Sequence, residues 1–164
     1  MFEKVPWDIW AEQGYLTTIS GPVIQPEVIA LAVAEVAEEY GLQLLAYDRW
    51  RIADFKRELD NIGAQIPIQP FGQGFKDMAP AVEKLEQLVA ERKLRHGSNP
   101  ILNMCAAGAV IQSDPAGNRK LNKAKSYSKI DGLVALSMAL SSMSADEIVS
   151  AASPWDDPEA KLAV

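Results

Sequence analysis

The chain has 164 residues, 48% of them hydrophobic, which is enough for one compact domain with a real core. Its apolar runs are too short to span a membrane and no basic-then-apolar leader opens it, so the expectation is a cytoplasmic protein without a membrane partner. The net charge of −6 excludes a protein that is basic all over, yet five basic residues (Arg119, Lys120, Lys123, Lys125, Lys129) and no acidic one lie between Asp114 and Asp131, so a polyanion can still approach one face.

Phe2 to Gly14 is rich in aromatics, and Pro6 predicts a loop that enters a short helix. Tyr15 to Ile19 is β-branched and aromatic and stops at Ser20-Gly-Pro22, the pattern of a short strand. Pro26 suits a helix start, and Val28 to Tyr40 carries apolar residues at helical spacing with Gly41 as its stop. Leu42 to Tyr47 is a nearly unbroken apolar run ending at Asp48, the pattern of a strand buried on both faces of a parallel sheet. A helix from about Trp50 to Ile62 closes at Gly63, and Ala64 to Ile68 is a further strand, confined by Pro67 to an edge or a strand end. After the Gly-rich turn Phe71 to Phe75 come a helix from Pro80 to Arg92 and another from Pro100 to about Gln112. Asp114-Pro-Ala-Gly117 is a turn, the basic stretch a loop, and Ile130 to Met143 an apolar helix. The segment 145–164, with two prolines, reads as a disordered tail, which leaves 1–144 as the folded unit. Alternation of strand and helix gives an α/β class with a mostly parallel central sheet flanked by helices, though with few strands for such a sheet.

Several enzyme classes are excluded by motif. There is no G-x-x-x-x-G-K-[ST] loop and no G-x-G-x-x-G, so nothing cradles a triphosphate or a dinucleotide, and no G-x-S-x-G elbow presents a serine. The only histidine, His96, has no partner at zinc-ligand spacing, and the only cysteine, Cys105, lies in an apolar run and reads as core.

Two carboxylates stand out. Asp48 ends a strand, where open α/β sheets place their ligands, although an Asp just before a helix is also a favoured N-cap. Asp131 closes a run, Ser128 to Asp131, that resembles a capping box; yet the helix after it is apolar almost all round, which places Asp131 at a buried inner end where a carboxylate needs a cation or a donor. Two acids that converge at one sheet end suggest a hard divalent cation, with the basic stretch holding a phosphate backbone against it. The competing reading of that stretch is a solvated loop.

Six segments, taken in order, resemble the nuclease domain of the large terminase subunits of tailed phages and prophages. They are VPWDIWAEQGYLT (Val5 to Thr17), AYDRW (Ala46 to Trp50), QGFKDMAP (Gln73 to Pro80), RHGSNPIL (Arg95 to Leu102), SDPAGN (Ser113 to Asn118) and KIDGLVAL (Lys129 to Leu136). The resemblance runs from about Val5 to Leu140 and implies a ribonuclease H-like fold whose acidic residues bind two Mg²⁺ or Mn²⁺ ions and cut concatemeric double-stranded viral DNA in the bacterial host cytoplasm. Asp48 matches the family's acid at the end of an inner strand, and Asp131 the acid that opens the closing helix. Lys125 and Lys129 fall where they could meet backbone phosphates, and with Arg119, Lys120 and Lys123 of the same basic stretch they are the DNA-binding candidates. His96 falls within the R-H-G-x-N-P run, where a structural hydrogen-bonding role is expected. The partners implied are the small terminase subunit and the portal protein.

The departures matter as well. Such subunits begin with an ATPase motor and then a first nuclease strand bearing another essential Asp, and Met1 falls after that strand. Asp8 does not replace the missing acid, because it belongs to the PWDIW segment. The expectation is therefore a partial ribonuclease H-like fold with an incomplete two-metal site and impaired cleavage, acting in a longer polypeptide or beside an upstream terminase fragment. The same loss would leave Leu42 to Tyr47 as an exposed sheet edge apt to pair with another chain. The alternatives are a non-catalytic module that docks DNA or packaging proteins, and an inactive prophage remnant.

Overall fold

The computed structural model describes residues 5–49 and 52–143. The expected disordered tail and the helix start near Trp50 lie outside them.

Pro6 precedes α1 (Trp7–Glu12), where Trp7 and Trp10 meet edge to face with centroids 5.5 Å apart. The strand expected over Tyr15 to Ile19 does not form. Those two residues are 44% and 38% exposed, and no other described strand lies alongside to complete a ladder, without which β-propensity stabilises little. Helix α2 (Pro26–Tyr40) follows the sequence expectation closely. Pro26 sits in its first turn, and Gly41 ends it in the left-handed conformation (φ +59°) that costs a residue without a Cβ least.

Strand β1 (Leu45–Asp48) is shorter than the apolar run that predicts it, and half-buried rather than covered on both faces. Its partner sets its length. β2 (Ile68–Phe71) pairs with it in parallel, Leu45 opposite Ile68 through Asp48 opposite Phe71, and the Leu45 N–H donates to the Pro67 carbonyl at 2.8 Å. Pro67 therefore precedes the ladder, and the strand lies later than Ala64 to Ile68. Pro70 is tolerated within β2 because, among the described residues, only one side of that strand is paired. Helix α3 (Ile52–Asn61) makes the crossover between them and packs on α2.

Helix α4 (Phe75–Ala90) starts five residues before the expected Pro80, which falls inside it. The reason is burial: Met78, 2% exposed, enters the core only if the helix is already under way there, and this outweighs the backbone hydrogen bond that Pro80 forfeits. Met78, Ala81, Val82, Leu85 and Leu88 form its inner stripe at helical spacing. Helix α5 (Pro100–Gly108) begins at an Asn99 cap whose side-chain oxygen accepts from the amides of Ile101 and Leu102, at 3.0 and 3.1 Å.

This helix was expected to run to about Gln112. Instead β3 (Ile111–Ser113) turns at Asp114 and pairs antiparallel with β4 (Arg119–Leu121). The turn is local chemistry of the expected kind: Asp114 Oδ1 accepts from the amides of Ala116 and Asn118, at 3.0 and 2.9 Å. Helix α6 (Asp131–Ser142) packs against α4, α5 and β1 and closes a core of Met78, Val82, Leu85, Cys105, Leu121, Ile130, Leu133, Val134 and Met138. Cys105 is buried, as expected. Fully buried Ser137 is satisfied within α6, donating to the Leu133 carbonyl at 2.8 Å.

The class is thus α/β, a partial ribonuclease H-like arrangement in which a small parallel sheet is flanked by helices. The second described sheet is an antiparallel hairpin. No helix among the described residues is long and apolar enough to cross a membrane.

Candidate functional site

Because β1 and β2 are parallel, their carboxyl ends lie together, and Asp48 ends one while Gln73 follows the other. The hairpin brings Gln112 and Lys120 to the same place. Asp48, Gln73, Gln112, Lys120, Leu121, Asn122 and Lys123 line one cavity of about 240 Å³. The strand alternation of β4 sorts its two basic residues. Leu121 enters the core, Lys120 lies on the opposite face with its ammonium 4.8 Å from the Phe75 ring centroid, and Arg119 shares the Leu121 side of the pleat. Arg119 does not reach the cavity; both its terminal nitrogens bind the Glu86 carboxylate on α4, at 2.8 and 2.6 Å.

Asp131 is joined to this cavity through Lys123, whose Nζ donates to Asp131 Oδ1 at 2.7 Å. Asp131 was expected at a buried helix end and is instead exposed, 68% of its side chain being accessible. The opening of α6 faces solvent while the buried stripe of that helix begins two residues later, at Leu133. The expected capping box is also absent: Ile130 holds the N-cap position without a side-chain cap, and Ser128 Oγ donates to the Met104 carbonyl at 3.1 Å, tying the loop to α5. The Lys123 ammonium holds the Asp131 carboxyl below its ordinary range, partial desolvation opposing it and the charge of Lys129 adding a smaller push downward.

The segment between β4 and α6 is a fixed platform. The Asn122 amide donates to the Val110 carbonyl at 2.8 Å, its side chain bonds Gln112 Oε1 at 2.8 Å, and its carbonyl accepts from Ser126 Oγ at 2.7 Å. The Tyr127 amide donates to the Gly108 carbonyl at 2.8 Å, and a Cβ added at Gly108 would overlap Ser128, so the loop and the end of α5 are in close contact. Lys123, Lys125 and Lys129 project from this platform as exposed side chains.

The expected residues therefore separate. Asp48, Lys120 and Lys123 share one cavity, Asp131 is tied to it, Lys125 and Lys129 are exposed on the adjoining loop, and Arg119 is engaged by α4. Gln73, Gln112 and Asn122 were not anticipated. Asn122 adjoins Lys123 and Gln73 opens the quoted QGFKDMAP segment, but amides at surface positions carry no pattern of their own. His96 is exposed and away from the cavity lining, and its carbonyl accepts from the Asn99 amide at 3.2 Å where α5 begins.

All the side-chain acceptors here are oxygens, which suits a hard divalent cation. Among the described residues no three His, Cys, Asp or Glu side chains are grouped so as to hold a metal ion, so the fit is to an ion held by one or two carboxylates with water and substrate oxygens, a coordination Mg²⁺ commonly takes.

The family model described as terminase large subunit, endonuclease domain, matches residues 2–147. The chain is 41% identical over 155 residues to the terminase large subunit of Enterobacteria phage HK97, an alignment that takes in 94% of this chain and 31% of that protein. The crystal structure of the HK97 bacteriophage large terminase superposes with a TM-score of 0.80 at 43% identity, over 85% of this chain and 29% of that one. The chain thus spans about a third of the length of the relative it matches.

Proposed function

From the premise that the chain belongs to the terminase large subunit endonuclease domain family, we propose that it provides the DNA-cutting site of a phage packaging terminase, a metal-dependent endonuclease for double-stranded viral DNA. The observation that supports this reading is that Asp48 and Lys123 line one cavity at the carboxyl end of the parallel sheet, while Asp131 pairs with that same Lys123.

Asp48 and Asp131 would hold the Mg²⁺ or Mn²⁺. When bound, such an ion activates an attacking water and stabilises the leaving oxygen of a phosphodiester. The remaining work belongs to the chain. Two carboxylates repel a phosphate, and Lys120 and Lys123 offset that repulsion at the cavity itself. Phe75 keeps the Lys120 ammonium over the cavity side of the hairpin by cation–π attraction. Lys125 and Lys129 extend the basic face along the loop, which gives backbone binding that is tolerant of sequence and sensitive to salt. Arg119, held in a bidentate pair, contributes to seating the hairpin on α4.

In the reading proposed here, the two carboxylates fall short of the set expected for two ions, so cleavage by this chain alone is weak, and a segment bearing a further Asp strengthens it. The small terminase subunit and the portal protein are the partners this function would require in the host cytoplasm. The test is nicking of supercoiled plasmid in Mn²⁺. Asp48→Asn and Asp131→Asn should each lower it at least tenfold while the fold persists. Nicking that survives both substitutions, or activity absent even with the longer polypeptide, would favour a docking module without catalysis.

A further inference from the structure

Lys123 joins both halves of the candidate site: it lines the Asp48 cavity and bonds Asp131 at 2.7 Å. We infer that Lys123 is an internal placeholder for the divalent ion, its ammonium neutralising Asp131 in the metal-free chain and passing to a DNA phosphate when the ion takes that carboxylate. This rests on the metal-dependent reading above and adds to it an order of events, in which metal binding releases a DNA contact.

Three features support the exchange. The ion pair is solvent-accessible on both sides, with 54% of the Lys123 side chain and 68% of that of Asp131 exposed, so it is of the weakly bound class that a divalent cation can displace. The backbone beneath Lys123 is pinned: Asn122 is bonded to Val110, Gln112, Lys125 and Ser126, so the loop stays in place and only the flexible four-carbon stem has to swing. Finally, the other cavity lysine is held differently. Lys120 lies over the Phe75 ring, a partner that a metal ion would not claim. One cavity lysine is thus available to phosphate, and the other is engaged by the carboxylate a metal would claim.

The test uses Mn²⁺ titration by calorimetry at about 0.15 M salt, where the field of exposed charges is largely screened. Removing a competing exposed ion pair should tighten Mn²⁺ binding about two- to fivefold in Lys123→Met. Lys129→Met removes an equal charge near Asp131 without a hydrogen bond, and it should change affinity less than about 1.5-fold. A second arm measures duplex DNA binding at low salt, with Ca²⁺ as a non-cleaving ion or with EDTA. Lys123→Met should lose about 0.9 of the salt slope in Ca²⁺ but not in EDTA, where the loss of affinity comes only from the uncovered Asp131 carboxylate. Lys120→Met should lose affinity in both.

Equal effects of Lys123→Met and Lys129→Met on Mn²⁺ would show a general field effect and overturn the inference. So would a Lys123→Met loss of salt slope that is the same with and without Ca²⁺. Wild-type protein that binds no Mn²⁺, or binds it as well after Asp131→Asn, would instead remove the metal-site reading, and this inference with it.

Discussion

Replacing Asn122 by Ala tests whether the loop that carries Lys123 is built as described. The substitution deletes two side-chain hydrogen bonds, Nδ2 to Gln112 Oε1 at 2.8 Å and the Lys125 amide to Oδ1 at 3.1 Å. Each is worth about 0.5–1.5 kcal/mol net. Both losses should fall in the lower half of that range. The Lys125 amide keeps a longer contact to the Asn122 carbonyl at 3.3 Å, and Gln112 faces a cavity open enough to recover water. The sum is about 1–2 kcal/mol, which for a domain of this size lowers Tm by roughly 2–8 °C. Asn122→Asp keeps the Oδ1 acceptor, and a rotation of the Gln112 amide can restore a donor to the other oxygen, so it should cost less than half as much. Thermal unfolding followed by near-ultraviolet circular dichroism, without metal and at neutral pH, separates the three proteins. Asn122→Ala melting within 1 °C of the parent, or Asn122→Asp falling as far as Asn122→Ala, would refute the network. Since Lys123 adjoins Asn122, DNA affinity of Asn122→Ala should fall alongside its stability.

Asn99→Ala removes the acceptor for two amides at the start of α5 and should cost about 1 kcal/mol in urea unfolding, whereas Asn99→Asp should stay within a few tenths. A common loss from both would show that the cap is not what Asn99 supplies. The acid limb of stability has a defined sign. Lys123 holds the Asp131 carboxyl below its ordinary value of 3.8, and the Asn118 side chain, followed by backbone amides of the turn, does the same for Asp114. Groups with depressed folded values contribute stability that is complete above about pH 5 and lost as pH falls through 3.8 and below. Thermal unfolding between about pH 6 and 2.5 should therefore show a steeper acid decline in the parent than in Lys123→Met, and superimposable limbs would remove Lys123 as the cause.

The helices and the Asp114 turn were legible because their determinants are local. Proline at a first turn, glycine in the left-handed conformation at position 41, apolar residues at helical spacing in α4 and α6, and an aspartate oxygen within reach of its own downstream amides all act over a few residues. The same holds for Asp48, whose place at a strand end follows from where an apolar run stops. What depended on distant partners was not legible. Tyr15 to Ile19 has strand composition but no described strand to pair with, while Ile111 and Gln112, read as the end of a helix, fall in a strand because Arg119 to Leu121 lies opposite. Local rules for Ser128 and Asp131 predicted a capping box; tertiary contact gave the serine to Met104 and the aspartate to Lys123. Arg119 shows the same limit, since its carboxylate partner lies 33 residues away. Sequence alone determined where the helices would centre, though not all their ends, and which acids to weigh, because backbone preference and side-chain-to-amide bonding are short-range. Only the tertiary structure decided which charges meet, because ion pairing and strand pairing are set by chain segments that the fold, and not the local order of residues, brings into contact.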